Sequence, residues 1–522
     1  MTIVSDRQAT PLRNQRLEAL DRHVYASGTS QLEVVSPITG EPFNRVPESS
    51  TDDVRQAFHF ARAAQRTWQA HPPSVRARIL RRFHDLVLQY RDEALDITQV
   101  ETGKARKDAL EELIDIANTT RYYTRIARKV LKPRRASGAV PGLVGVTTYH
   151  RPKGVVGVIA PWNYPLTLAA TDAVAALMAG NAVVLKPDSK TPTTALWVAD
   201  MLERAGLPQG LFTVVVGGGS TLGPVMIEES DYMMFTGSTR VGRLIAAGCG
   251  ERLIGCSLEL GGKNALVILD DADIDKAVDV TVRGSFANSG QLCISVERVY
   301  VPVTLWDAYV SKLAAAVTDM RLQVQVGWGA DMGSLIDAGQ LSTVTGHIDD
   351  AVSKGARVLA GGRPRPELGP FAHEPTVLVD VPESAVVCRN ETFGPVISLY
   401  PYRTESEAIA AANDTEYGLQ AVVVSGSLSR AKRAAAVLKA GTVSINEGYA
   451  ISWGSVRTPM GGMGDSGLGR RHGPEGLLKY TESQSVATMR ALSFSPQFGM
   501  DDQQFGKLLS TYMKVAGSLR LK

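Results

Sequence analysis

The chain is poor in cysteine. Only Cys249, Cys256, Cys293 and Cys388 occur in 522 residues, and no two of them form a Cys-x-x-Cys pair. That excludes a disulfide framework, offers no zinc or redox-motif spacing, and fits a reducing cytoplasm. No apolar run approaches the roughly 20 residues that cross a bilayer. The first thirty residues carry Asp6, Arg7, Arg13, Arg16, Glu18 and Asp21 without an apolar centre, so they do not read as a secretory signal. No surplus of one charge exists either. The 56 Lys and Arg face 53 Asp and Glu, a net +3, too even for a nucleic-acid footprint. The small basic group Lys132, Arg134 and Arg135 surrounds Pro133 and reads as a solvated turn. The expectation is a cytoplasmic protein with no membrane span, no nucleic-acid partner and no metal.

What is present is ordinary globular material, 44% hydrophobic and 21% charged, long enough for two to four domains. From Thr51 to Lys132 the apolar spacing is helical, with Thr51-Asp52-Asp53 as a candidate cap and Val54, Ala57, Phe58 and Ala61 on one face. Gly138 to Tyr149, rich in Gly, Val and Thr, suggests an extended hairpin. From Arg151 strands alternate with helices: Val155–Ile159, then Leu166–Met178 closed by Gly180, then Ala182–Leu185, with further strands at Thr213–Val216 and Tyr232–Phe235. A second such run follows from Asn264 to about Val443. The α/β alternation predicts parallel sheets covered by helices on both faces. Residues before Ser36 lack periodicity and read as an extension. A strand after Lys479 and an amphipathic end close the chain.

Five segments carry chemistry. In Asn288-Ser289-Gly290-Gln291-Leu292-Cys293 a glycine-bearing turn precedes a thiol, an arrangement that can surround sulfur with backbone N–H groups. A lone cysteine is more often an inert core residue, so the neighbouring motifs decide. Glu259-Leu260-Gly261-Gly262-Lys263 sets a carboxylate among apolar residues. Burial there would raise its pKa into the range of a general base, unless it simply pairs with Lys263. Pro161-Trp162-Asn163-Tyr164-Pro165 ends the first strand. Two prolines stiffen it, and Asn163 is either an oxyanion donor or a turn residue. Finally, Phe235-Thr236-Gly237-Ser238 follows a strand and opens a helix, and Lys186-Pro187-Asp188-Ser189 ends another strand. Both are places where open α/β sheets receive phosphates and ligands.

Taken in order, these segments resemble the aldehyde dehydrogenase superfamily from about Ser36 to Gln484. Glu391-Thr392-Phe393-Gly394-Pro395 and Pro459 to Gly469 add to the match. Met460-Gly461-Gly462-Met463-Gly464 and Arg470-Arg471-His472-Gly473 are closest in character to a bacterial branch of NADP-dependent succinate-semialdehyde dehydrogenases. The resemblance implies that Cys293 attacks an aldehyde, that Asn163 and the Cys293 N–H hold the oxyanion, and that Glu259 activates the water that hydrolyses a thioester. By the same likeness Trp162, Lys186, Ser189, Gly237, Ser238, Glu391 and Phe393 bind the cofactor. Ser189 stands where NAD-preferring relatives often carry a glutamate, so the 2′-phosphate of NADP meets no carboxylate. NADP is expected, with NAD possible, and Lys190 is either a phosphate ligand or a solvated lysine.

The implied fold is a cofactor-binding domain of residues 31–137 and 152–259, a catalytic domain of 260–450, and an oligomerisation arm of 138–151 and 480–495. Residues 1–30 become an extension and 496–522 a tail. An exposed edge strand points to a homodimer or homotetramer. The two arginines that known succinate-semialdehyde dehydrogenases use for the distal carboxylate are replaced by Thr171 and Ala287. Arg457, beside Tyr449 and Trp453, is a candidate substitute or a plain surface residue, while Arg298 matches a structural arginine of the whole family. An apolar or aromatic aldehyde is therefore the competing substrate. Rivals from other classes are a catalytically silent relative and a Cys-His hydrolase, the latter disfavoured because no histidine sits in a motif with Cys293. His472 is expected at the surface or an interface.

Overall fold

The computed structural model describes residues 14–138, 144–490, 493 and 495–518. The tip of the expected hairpin, 139–143, lies outside the described residues. The α/β architecture with parallel sheets is found; among the described residues it comprises two large sheets, a three-stranded antiparallel one and two two-stranded ones.

The first large sheet has six strands in the spatial order Gly467–Leu468, Gly255–Glu259, Tyr232–Thr236, Val155–Ala160, Ala182–Pro187 and Phe212–Val214. All its pairings are parallel except that of Gly467–Leu468 with Leu258 and Glu259. Val155–Ala160 sits centrally, with later strands added to either side. This makes it a switch point, and ligands of such sheets bind outside the carboxyl ends there. Pro165–Ala179 packs on the sheet with every residue buried, which its apolar composition on all sides requires. Gly180, at φ 102°, ends that helix in the left-handed conformation a side chain would resist.

The second large sheet runs Arg357–Ala360, Thr376–Val379, Val396–Tyr402, Val296–Pro302, Asn264–Ile268, Gln420–Val424 and Thr442–Ile445. Only Arg357–Ala360 is antiparallel to its neighbour. The third sheet joins Arg134–Ser137, Val144–Pro152 and Thr481–Met489. Arg134 and Arg135, expected in a turn, begin its first strand and remain exposed. From Glu482 to Met489 that sheet's last strand is exposed too.

Two local expectations change. The cap of the helix Thr51–Trp68 falls one residue earlier, on Ser50, whose hydroxyl accepts from the Asp53 N–H while the Asp53 carboxylate returns the bond. The stretch before Ser36 is more than an extension. Asn14–Asp21 is a helix that buries Leu17 and Leu20, and Tyr25 N–H donates to Val214 O at 2.8 Å. Eight residues are too few for a strong periodic signal, so packing against Pro192–Arg204 defines this helix. The tail forms the helix Asp502–Ser518, with no residue buried. Among the described residues no helix is long and apolar enough to cross a membrane.

Candidate active site

The chemistry-bearing segments meet at the carboxyl edge of the first sheet, where it faces the second. The turn before Cys293 is the tightest part. Asn288, Ser289 and Gly290 all have positive φ, 50°, 57° and 70°. A Cβ on Gly290 would lie 2.1 Å from Gly394 O, so only glycine fits. Holding two non-glycine residues in this region costs about 1–2 kcal/mol each, and hydrogen bonds fix them. Asn288 N–H donates to Asp108 at 3.1 Å, Ser289 Oγ to Gly333 O at 3.0 Å, and Asn288 Nδ2 to Gln291 O at 3.0 Å. The result presents Cys293, which remains partly exposed. Burial, reinforced by the Glu259 charge, pushes its thiol up to about 12, while Arg471 works in the other direction and the Ile294 N–H points at the sulfur.

Asn163 is anchored to the same turn. Its side-chain N–H₂ donates to Gln291 O at 3.0 Å, and an amide nitrogen carries a second N–H. Its carbonyl accepts from Asn288 Nδ2 at 3.0 Å and from Lys104 Nζ at 2.6 Å. Lys104 is itself fully buried and paired with Glu112 at 2.5 Å, and Glu112 caps the start of Pro165–Ala179 through the Leu166 and Thr167 N–H groups.

Glu259 ends the strand Gly255–Glu259 and is 5% exposed. It does not pair with Lys263. Lys263 instead bonds Glu297, which also accepts from the Thr392 and Phe393 N–H groups at 3.0 Å. Burial raises the Glu259 carboxyl to about 7, against the pull of Arg471 and Lys479. The double glycine that follows has a steric reason. A Cβ on Gly261 would sit 2.3 Å from Glu391 Oε2, and one on Gly262 would sit 2.7 Å from Cys293 O. Gly262 N–H donates to Glu391 Oε1 at 2.8 Å. Burial, with Glu297 nearby, lifts Glu391 to about 8.

The remaining candidates border the same edge. Phe393, at φ 53°, sets its ring edge-on to Trp162, with centroids 5.4 Å apart. Ser238 caps Thr239–Glu251 by accepting from the Val241 N–H, and Gly237 N–H donates to Glu259 O at 3.0 Å. Lys186 is buried and donates to Pro187 O at 3.0 Å. Ser189 Oγ donates to Gly217 O at 3.1 Å, beside the helix Gly219–Glu229, whose N-terminus has no side-chain cap. Lys190 pairs with Asp337 at 2.7 Å and lies over the Trp162 ring. Among the described residues one His-Asp-Glu group, His23, Asp200 and Glu203, has metal-ligand spacing. Asp200 there already faces Arg16 at 2.7 Å and Arg204 at 3.0 Å.

This geometry can be set against known proteins. The profile described as the aldehyde dehydrogenase family matches residues 24–486. The chain belongs to this family. It is 50% identical over 483 residues to a Mycobacterium ulcerans protein named putative succinate-semialdehyde dehydrogenase (NADP+) 2, covering 92% of this chain and 93% of that one. It is 37% identical to the glutarate-semialdehyde dehydrogenase of Pseudomonas aeruginosa, covering 88% and 94%. Among solved structures, succinate-semialdehyde dehydrogenase from Burkholderia pseudomallei superposes with a TM-score of 0.86 at 34% identity, covering 89% and 96%.

In this aldehyde dehydrogenase, one expectation needs correction. His472 is not at the surface. It is 3% exposed, faces the Trp453 ring, and burial beside Arg471 holds its pKa down at about 3. Arg298 is structural, donating to the Lys263, Ala411 and Ala412 carbonyls. Arg457 is exposed, while Tyr449 and Trp453 are buried, Tyr449 bonded to Glu111 at 2.5 Å. Thr171 spends its hydroxyl on Thr167 O. Sequence reasoning missed Asn264, which donates to both Cys293 O and Ser295 O, and the buried pairs Lys104–Glu112 and Lys263–Glu297. A charge inside an otherwise apolar stretch was the available signal, but its partner lies too far along the chain to be read locally.

Proposed function

We propose that this aldehyde dehydrogenase oxidises succinate semialdehyde to succinate with NADP, through a thiohemiacetal and then a thioester on Cys293. The observation carrying this reading is a partly exposed thiol in a pinned left-handed turn, close to a buried carboxyl raised to about 7. A carboxyl of that pKa is half ionised near neutral pH, the condition for an effective general base. It serves twice, first by taking the Cys293 proton and later by drawing a proton from the water that attacks the thioester. The free Asn163 N–H and the backbone of the turn stabilise the oxyanion at both stages, and removing such a donor costs about 10²- to 10³-fold in rate.

The site residues fit a dinucleotide. The uncapped start of Gly219–Glu229 offers free N–H groups next to Ser189, and a side chain at Gly219 would meet open space. Ser189 and those N–H groups would receive the 2′-phosphate, Ser238 and Trp162 would line the pyrophosphate, Lys186 the adenosine ribose, and Glu391 and Phe393 the nicotinamide end. The nicotinamide, when bound, supplies the two-electron acceptor that the thiohemiacetal requires. The names of the relatives support the substrate and the cofactor. The strand Thr481–Met489, exposed from Glu482 onward, supports assembly into a homodimer or homotetramer.

Replacement of both expected carboxylate-binding arginines, with Tyr164 and Trp453 rings 5.8 Å apart nearby, favours a second reading in which the aldehyde is apolar or aromatic. Reduced-cofactor absorbance with succinate semialdehyde and with short aliphatic and aromatic aldehydes, each with NADP and NAD, separates the two. A kcat/KM far higher for succinate semialdehyde supports the first, and loss of that preference in Arg457→Ala would identify the substitute cation. Equal or better rates with uncharged aldehydes support the second.

A further inference from the structure

Arg471 follows the antiparallel strand Gly467–Leu468 and is 6% exposed. Its Nη2 donates to Asp172 Oδ2 at 3.0 Å and to Thr236 Oγ1 at 3.2 Å. Its Nε lies 3.9 Å from Glu259 Oε1, and both of these buried atoms lack a hydrogen-bond partner. A buried donor and a buried acceptor left unsatisfied are each costly. Here they face one another, and a movement of about 1 Å would join them at ordinary hydrogen-bond length.

We propose that Arg471 is a positioning residue for Glu259, its Nε–H forming the berth that the ionised carboxylate closes on and the protonated carboxyl leaves. The inference rests on Glu259 acting as the base. Taking the Cys293 proton leaves Glu259 protonated, and that proton must be released to solvent before Glu259 can draw one from the water that attacks the thioester; a fixed cation favours the ionised, reset form. Arg471 is suited to this because the guanidinium is a rigid fork. One arm is committed to Asp172 and Thr236, which leaves Nε aimed at Glu259.

The other groups around Glu259 do not duplicate the role. Lys479 Nζ and Tyr480 Oη both donate to Asp172 Oδ1, at 3.1 and 3.0 Å. Arg470 donates to the Gly462 and Gly469 carbonyls. The Cys293 thiol, held up at about 12, offers Glu259 no opposing charge. His472, next in the chain, is kept neutral. Burial opposes the charge on Asp172, yet Arg471 and Lys479 hold that carboxyl down at about 2, so the anchor of the fork stays ionised.

The test follows acid release from pre-formed acyl-enzyme as a function of pH, with the reduced-cofactor burst measured alongside. An opposite charge at such a distance moves a carboxyl pKa by about one unit or more. Arg471→Met should therefore shift the acid limb of deacylation upward by about one pH unit and slow release at pH 6 about tenfold, leaving the burst amplitude near that of the parent. Arg471→Lys keeps a cation for Asp172 but loses the second donor, and should shift the limb by about half as much. A folded Arg471→Met variant with the parent limb overturns the proposal. Where that variant does not fold, a parent limb in Arg471→Lys overturns it instead. Glu259→Gln separates the two layers. If it releases acid at the parent rate, the base assignment falls. If it stalls while the arginine variants keep the parent limb, only the berth falls.

Discussion

Glu259→Gln should make the protein more stable at the pH where it makes it inactive. A carboxyl ordinarily near 4.5 stands at about 7 in the folded protein because burial penalises its charge. The folded state thus holds the proton more tightly than the unfolded chain does. Its contribution to stability is fully present below pH 4.5 and is lost as the pH rises through 7. Between those values the ionised form becomes worse off in the folded protein by about 3 kcal/mol, an upper figure because solvent and side chains relax around a buried charge. Glutamine has nearly the shape of the protonated acid and no charge to desolvate. The variant should match the parent near pH 5 and exceed it by up to about 3 kcal/mol at pH 8.5, while thioester hydrolysis is lost. Thermal unfolding of both proteins at the two pH values, in matched ionic strength, reads the difference, and other buried carboxyls such as Glu391 cancel. A variant-minus-parent Tm that is unchanged or smaller at pH 8.5 would refute the reasoning.

Gly290→Ala should fold but lose about a hundredfold or more in kcat. Its Cβ can be admitted only by moving the Gly394 backbone, and misplacing the Cys293 turn by about 1 Å suffices for that loss. Steady-state rates and Cys293 labelling by iodoacetamide check it. Lys263→Met should destabilise by about 3–5 kcal/mol by stranding the Glu297 charge, and adding Glu297→Gln should recover much of the loss, read by denaturant midpoints. Ser189→Glu should lower kcat/KM with NADP by tenfold or more, with a smaller effect on NAD, because a carboxylate would then face the 2′-phosphate. Equal losses with both cofactors would count against Ser189 at that position.

Much of the fold was legible because its strands and helices announce themselves locally. Val155–Ala160, Ala182–Pro187 and Tyr232–Thr236 are short apolar runs separated by helical spacing, so the parallel α/β alternation follows from periodicity. The helix Asn14–Asp21 was not legible. Its eight residues are ordered by contacts with Pro192–Arg204, which no local pattern contains. Of the chemical residues, Glu259 stood out as a carboxylate among apolar neighbours, whereas Cys293 and Asn163 each had a bland reading that only the neighbouring motifs and the family resemblance displaced. Lys263 shows the limit of that reasoning. It lies four residues from Glu259 and was a candidate partner, but in the connection between Gly255–Glu259 and Asn264–Ile268 it pairs with Glu297 instead.

The sequence by itself determined the layered architecture, the chemical inventory and the points where glycine or proline was required, since these depend on neighbours within a few residues. Tertiary structure alone decided how that inventory is used. Burial, which local sequence does not fix, lifts Glu259 to about 7, the range a general base near neutral pH requires. The antiparallel return of Gly467–Leu468 onto Leu258 and Glu259 brings Arg471 to within 3.9 Å of that carboxylate from more than 200 positions away. It also takes His472 out of solvent. Desolvation and the meeting of distant charges depend on the assembled sheets, and so they were absent from the order of the residues.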